Sequence, residues 1–135
     1  MFRNDINRHI SHIAHTKVVT NKSPWLSSFN VGDVYEVAMS HGEGKFVVSK
    51  ELAKEFFDNG MVAFQYVDES GRPTNDTNYN VNGSNYAIEG IISKDGLVLG
   101  KMGHSERKGI DVFKNIYGNK DEDIFKNAIN YFKGK

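Results

Sequence analysis

YAIEGIISKDGLVLGKMGHSER, residues 86–107, carries the pattern that decides the fold: two runs rich in Ile, Leu and Val, separated by Lys94, Asp95 and Gly96. An Asp-Gly pair between two apolar runs predicts a tight hairpin joining adjacent strands. Upstream, MVAFQYV (61–67) predicts a compact apolar strand. KELAKEFFDNG (50–60) predicts a helix with Leu52, Ala53, Phe56 and Phe57 on one face, Ser49 as N-cap and Gly60 as stop. ISHIAHTKVVT (10–20) reads as a strand broken by NKSPWLSSF, in which Trp25 is a packing anchor. VYEVAMSH (34–41) and KFVVS (45–49) read as strands on either side of HGEG. Downstream, DEDIFKNAINYFKGK (121–135) puts Ile124, Phe125, Ala128, Ile129 and Phe132 at helical spacing, with acids at its start and lysines at its end. These elements predict one mixed α/β domain over residues 1–135, or part of one. Residues 68–84 are polar and rich in turn formers, and a loop of that length is expected to serve binding.

Composition narrows the function. The 17 basic residues balance the 17 acidic ones, so no long-range field recommends nucleic acid or an anionic membrane as partner. No apolar stretch approaches the ~20 residues of a membrane span, and MFRNDINRH lacks the apolar core of a signal peptide. A soluble, cytoplasmic protein is expected. The sequence contains no cysteine, which excludes disulfides, thiolate metal ligands and a cysteine nucleophile from these residues.

Among the remaining chemistry, His104 and Glu106 stand first. In extended backbone, residues i and i+2 project to one side, so the carboxylate can accept a hydrogen bond from the imidazole, fix its tautomer and favour the protonated ring. That pair is the base and orienter of a nucleophile–base–acid triad. The spacing alone recurs by chance; its position directly after a predicted strand, with 105–108 able to start a helix, gives it context. His41 and Glu43 repeat the spacing in SHGEGKF, where a solvated turn explains them equally well. Asn82, Gly83 and Ser84 offer an amide, a flexible backbone and a hydroxyl, suited to substrate or to a turn. His9, His12 and His15 do not converge on either a strand or a helix, so no metal site is expected from them. The cluster DEDIFK reads as a helix start, not an acidic active site.

Taken in order, RNDINRHIS, SPWL, MSHGEGKFV, QYVDESGRPT, NYNVNGSNYAIEGIIS, DGLVLGKMGHSER and the terminal helix resemble one family along nearly the whole chain. That family is phosphoribosylformylglycinamidine synthase of the large, single-chain kind, whose last domain is a class I glutamine amidotransferase. The resemblance implies a flavodoxin-like open sheet, largely parallel, with helices and β-hairpin additions, of which this chain would be the C-terminal portion. It implies that glutamine is hydrolysed and ammonia handed to a synthetase body, which uses ATP and Mg to amidate formylglycinamide ribonucleotide in purine synthesis. His104 matches the proton-shuttling histidine and Glu106 its orienting glutamate, while His41, Gly42 and Glu43 with Asn82, Gly83 and Ser84 match loops around the glutamine pocket. The cysteine nucleophile of the family lies upstream, so these 135 residues are expected to be a fragment inactive alone. The fragment is expected to need the remainder of the synthase and to self-associate through exposed sheet edges. The family commonly reads PHPER where this chain has GHSER, and often proline where this chain has Val81, which predicts a somewhat looser backbone around the base. A module of another class, binding ligand or serving as scaffold without making a bond, is the alternative.

Overall fold

The strands follow from side-chain alternation. In β1 (Ile10–Val18), Ala14, Thr16 and Val18 are buried while the residues between them are more exposed, the period of two that gives a strand one inward face. The computed structural model of the chain describes residues 1–134. After β1 come a short 3-10 turn at Pro24–Leu26, β2 (Val34–His41), α1 (Lys50–Asp58), β3 (Val62–Tyr66), β4 (Ile88–Ile92), β5 (Leu99–Lys101) and α2 (Ile124–Lys133). The five strands form one sheet in the order β2-β1-β3-β4-β5.

The expected α/β architecture is what folds, with one difference in detail. Every hydrogen-bonded strand pair is antiparallel, from Ile10 opposite His41 at one end to Ile92 opposite Leu99 at the other. Parallel relations survive only between strands that are not neighbours, as between β2 and β3, which both run against β1 and are joined through α1. The β4–β5 hairpin forms where the Asp-Gly pair predicted it, with Gly96 at φ +74°.

The sheet curls until its ends meet. Beyond β5 the chain returns to the outer side of β2, where the His104 N–H donates to the Ala38 carbonyl at 2.8 Å in an antiparallel bridge. Further along the same strand, the Glu36 N–H donates to the Asn119 carbonyl at 2.8 Å. The β2 edge of the sheet is therefore partly covered. One core cluster joins Val18, Leu26, Phe29, Tyr35, Phe64 and Ile92 to Ile124 of α2, and a second gathers Ala14, Met39, Tyr66 and Ala87, with Val81 and Met102 against it.

Three local expectations are corrected. KFVVS is not a strand: the Phe46 N–H donates to Ser84 Oγ and the Val48 N–H to Asn85 Oδ1, both at 3.0 Å, so side chains take the donors a ladder would use. Residues 105–108 form no helix: the Arg107 N–H closes a single turn on the His104 carbonyl at 3.1 Å, and the turn does not continue into 107–108. The acids before α2 sit outside its first turn, where Glu122 and Asp123 bind lysines instead of capping the helix. Lys133 lies in the last turn of α2, and Lys135 falls outside the described residues. On α1, Ala53 is buried but Leu52 stays exposed, while Ser49 Oγ accepts from the Leu52 N–H at 3.2 Å as the N-cap predicted.

Candidate functional site

The site begins where β5 ends. Ser105 is buried while its neighbours His104 and Glu106 are more exposed, and the extended backbone expected here is instead a turn closed by the Arg107 N–H on the His104 carbonyl. His104 Nδ1 lies 2.7 Å from Glu106 Oε1, and its Nε2 is buried with no hydrogen-bond partner among the described residues. Burial pushes the Glu106 carboxyl up, but its own backbone N–H, the His104 hydrogen bond, and the charges of His104 and Arg107 outweigh this and hold it below the usual range. An ionised carboxylate only accepts, so the proton of this bond belongs to Nδ1, and in the neutral ring the lone pair sits on Nε2. The Glu106 side chain is 55% exposed, so the bond orients the ring more than it stabilises the fold.

β2 supplies the second ring. His41 stacks on His104 with centroids 4.9 Å apart and planes 10° from parallel. His41 Nε2 donates to the Met102 carbonyl at 2.5 Å, which fixes a proton on that nitrogen because a carbonyl has none to give. Beneath the rings, Glu89 of β4 accepts from the Met102 N–H at 3.1 Å and the Gly103 N–H at 2.5 Å. Burial raises the Glu89 carboxyl, Glu122 adds to the rise, and Lys101 with the two backbone donors opposes it. Glu89 and Ala38 tie residues 102–104 on both sides. A cleft of about 380 Å³ opens beside the pair, walled by Trp25, His41, Met102, His104, Glu106 and Phe125. Acid–base chemistry on a small polar ligand is what a buried imidazole nitrogen beside such a cleft can perform.

The model of the CobB/CobQ-like glutamine amidotransferase domain matches residues 1–132. The chain belongs to this glutamine amidotransferase family. Its curated relatives include the phosphoribosylformylglycinamidine synthase subunit PurQ of Chlorobaculum tepidum, 36% identical over 79% of this chain and 45% of that protein. The same subunit of Methanosarcina mazei is 35% identical over 89% of this chain and 50% of that protein. Among solved structures, PurLQS from Thermotoga maritima superposes with a TM-score of 0.67 at 25% identity, covering 97% of this chain and 51% of that one. The chain spans about half the length of these curated relatives.

Within this amidotransferase domain, the structure gathers only some of the residues that the sequence singled out. His41, His104 and Glu106 share the cleft. Gly42 carries its carbonyl to the Asn4 N–H at 3.1 Å, and Glu43 points away, facing Arg3 at 3.8 Å beside a separate depression lined by Phe2, Asp5 and Lys45. Asn82, Gly83 and Ser84 do not line the cleft. Asn82 and Ser84 are buried, with Asn82 Nδ2 donating to the Tyr66 hydroxyl at 3.1 Å and Ser84 held by Asn80 at 2.8 and 2.9 Å. The long polar loop is likewise closed on itself, Asp68 accepting from Ser70 and Arg72. Among the described residues no group of three or more His, Asp or Glu could hold a metal ion, and no helix is long and apolar enough to cross a membrane. Sequence reasoning missed Asn4, whose amide donates to the His41 carbonyl at 2.6 Å and accepts from the Gly44 N–H at 3.1 Å, pinning the HGEG loop. It also missed Glu89 and Glu122, whose partners lie 13 to 21 residues away, beyond any local motif.

Proposed function

We propose that this chain supplies the base and orienter of a glutaminase centre, His104 and Glu106, in a phosphoribosylformylglycinamidine synthase of purine biosynthesis. The observation that carries the reading is the His104 ring itself, bound to Glu106 through Nδ1 and unpartnered at Nε2 beside the cleft. A cysteine thiol brought to Nε2 would give up its proton there, and the resulting imidazolium would be steadied by Glu106. The thiolate would attack the side-chain amide of glutamine, and the same proton would then leave with ammonia. No cysteine exists among the 135 residues, so the nucleophile comes from another segment or chain, and the isolated chain is inactive. The cleft formed by His41, Trp25 and Phe125 receives the glutamine end of the reaction. Asn82, Gly83 and Ser84 act behind it: Asn82 packs under Gly44, and Ser84 Oγ holds the Phe46 N–H, so the pair shapes the 41–44 loop. ATP and Mg serve the synthetase body, whether that body is fused to this domain, as the ordered motifs suggest, or separate, as in relatives named as subunits.

The test is reconstitution. Mixing the chain with a separately produced segment that carries the nucleophilic cysteine should restore glutamate release, and His104→Ala should lower it by on the order of 10³-fold. Robust glutamate release by the 135 residues alone, or full activity of the reconstituted His104→Ala protein, defeats the assignment.

A further inference from the structure

Between the two residues of the dyad stands Ser105, and its hydroxyl is the corner of a closed triangle. Ser105 Oγ donates to Glu122 Oε2 at 2.6 Å, Lys101 Nζ donates to the same oxygen at 2.5 Å, and Lys101 Nζ also reaches Ser105 Oγ at 3.2 Å. The side chains of Lys101 and Glu122 are 7% and 1% exposed. Lys101 is the last residue of β5 and Glu122 lies just before α2, so the triangle ties the strand, the helix start and the centre of the His–Ser–Glu segment together. Room for the lysine comes from Gly90 across the sheet, where an added Cβ would come within 3.0 Å of Lys101 Cβ and 3.1 Å of the Phe64 ring. The ammonium sits 4.4 Å from the centre of that ring. A second clasp follows on the same side, Lys108 Nζ donating to Asp123 Oδ1 at 2.7 Å.

A buried ion pair of this kind returns little net stability over apolar packing, because desolvation consumes most of the attraction. What it does supply is registry: Ser105 is a central residue of the turn closed by the Arg107 N–H on the His104 carbonyl, so anchoring its side chain fixes that turn and with it the side chains on either side. We propose that Glu122 is a positioning residue that, with Lys101 and Ser105, sets the orientation of the His104–Glu106 dyad. The inference rests on the dyad being the working pair, and it assigns to the start of α2 control over how firmly the imidazole is held.

The test reads the dyad without requiring turnover. In the full chain labelled for NMR, the carboxyl carbon of Glu106 is followed against pH together with the His104 Nδ1 proton, in the parent, Glu122→Gln and Ser105→Ala. Asp58→Asn, which breaks a surface pair with Lys54 on α1, is the control. Loss of positioning raises the Glu106 midpoint toward the ordinary glutamate value and speeds exchange of the Nδ1 proton by about tenfold, with the strand amides unchanged. A lowered Tm with an unmoved Glu106 midpoint and Nδ1 proton makes Glu122 a merely structural residue and overturns the proposal. If Glu122→Gln does not fold, Ser105→Ala, which deletes one hydroxyl, decides by the same two signals. Glutamate release by the reconstituted protein is scored separately: shifted NMR signals in a protein that never turns over would sink the glutaminase reading and leave the positioning intact.

Discussion

At Gly103 an added Cβ would stand 2.7 Å from both Val37 methyl groups and 3.0 Å from Glu89 Oε1, closer than packed carbon atoms tolerate. Gly103→Ala is therefore expected to cost about 1–3 kcal/mol by urea unfolding. Proline at this position would also remove the N–H that donates to Glu89. The Glu106 bond depends on pH. Its carboxyl is held below the usual range, so the interaction is fully present above the ordinary glutamate value and is lost as pH falls through the depressed one. The Nδ1 proton of His104 should thus stay protected from neutral pH down past the ordinary glutamate midpoint; exchange that accelerates above that midpoint would contradict the geometry. The pairing of residues 104 and 106 was legible because positions two apart need no tertiary information to meet, although a turn and not extended backbone brings them together. The stacking of His41 was not, since it depends on the register that sets β2 beside the segment after β5.

Helix α1 shows what local rules capture. Ser49, the Leu52 N–H it caps and the left-handed Gly60 at φ +65° were all readable from residue types. Ser49→Ala should destabilise the chain by about 1 kcal/mol, seen as a lower urea midpoint with unchanged slope. The neighbouring KFVVS failed as a strand for a reason no window reveals: its β-branched residues suit a ladder, but Ser84 and Asn85, nearly forty residues on, offer its N–H groups side-chain oxygens instead. The acids before α2 misled in the same way. They look like partners for the helix dipole, yet two of them are spent on Lys101 and Lys108, and one of those bonds lies in the interior.

Among the described residues, the interior holds Glu89 and Glu122 against Lys101, and burial first, with the Glu122 charge added, raises the Glu89 carboxyl. A glutamate whose native pKa is raised binds its proton earlier in the folded state than in the unfolded one. Its contribution to stability therefore grows as pH falls from neutral through the raised value, and levels off below the ordinary one. Glu89→Gln should erase that slope and be at least as stable at neutral pH, whereas Glu89→Ala strands the Met102 and Gly103 donors and should cost about 2 kcal/mol. Thermal melts of the three proteins between pH 4 and pH 8 separate these outcomes; a Gln variant that keeps the parent slope would refute the raised Glu89 carboxyl. The mixed architecture was legible from strand and helix periods, but the antiparallel order was not, because β1 inserts between β2 and β3 through pairings that periodicity does not encode. The bridge from His104 to Ala38 has a further consequence for mechanics. The peptide unit of the base is itself a seam of the rolled sheet, so the backbone that carries the imidazole has no hinge of its own, and its displacement comes with unzipping of the seam.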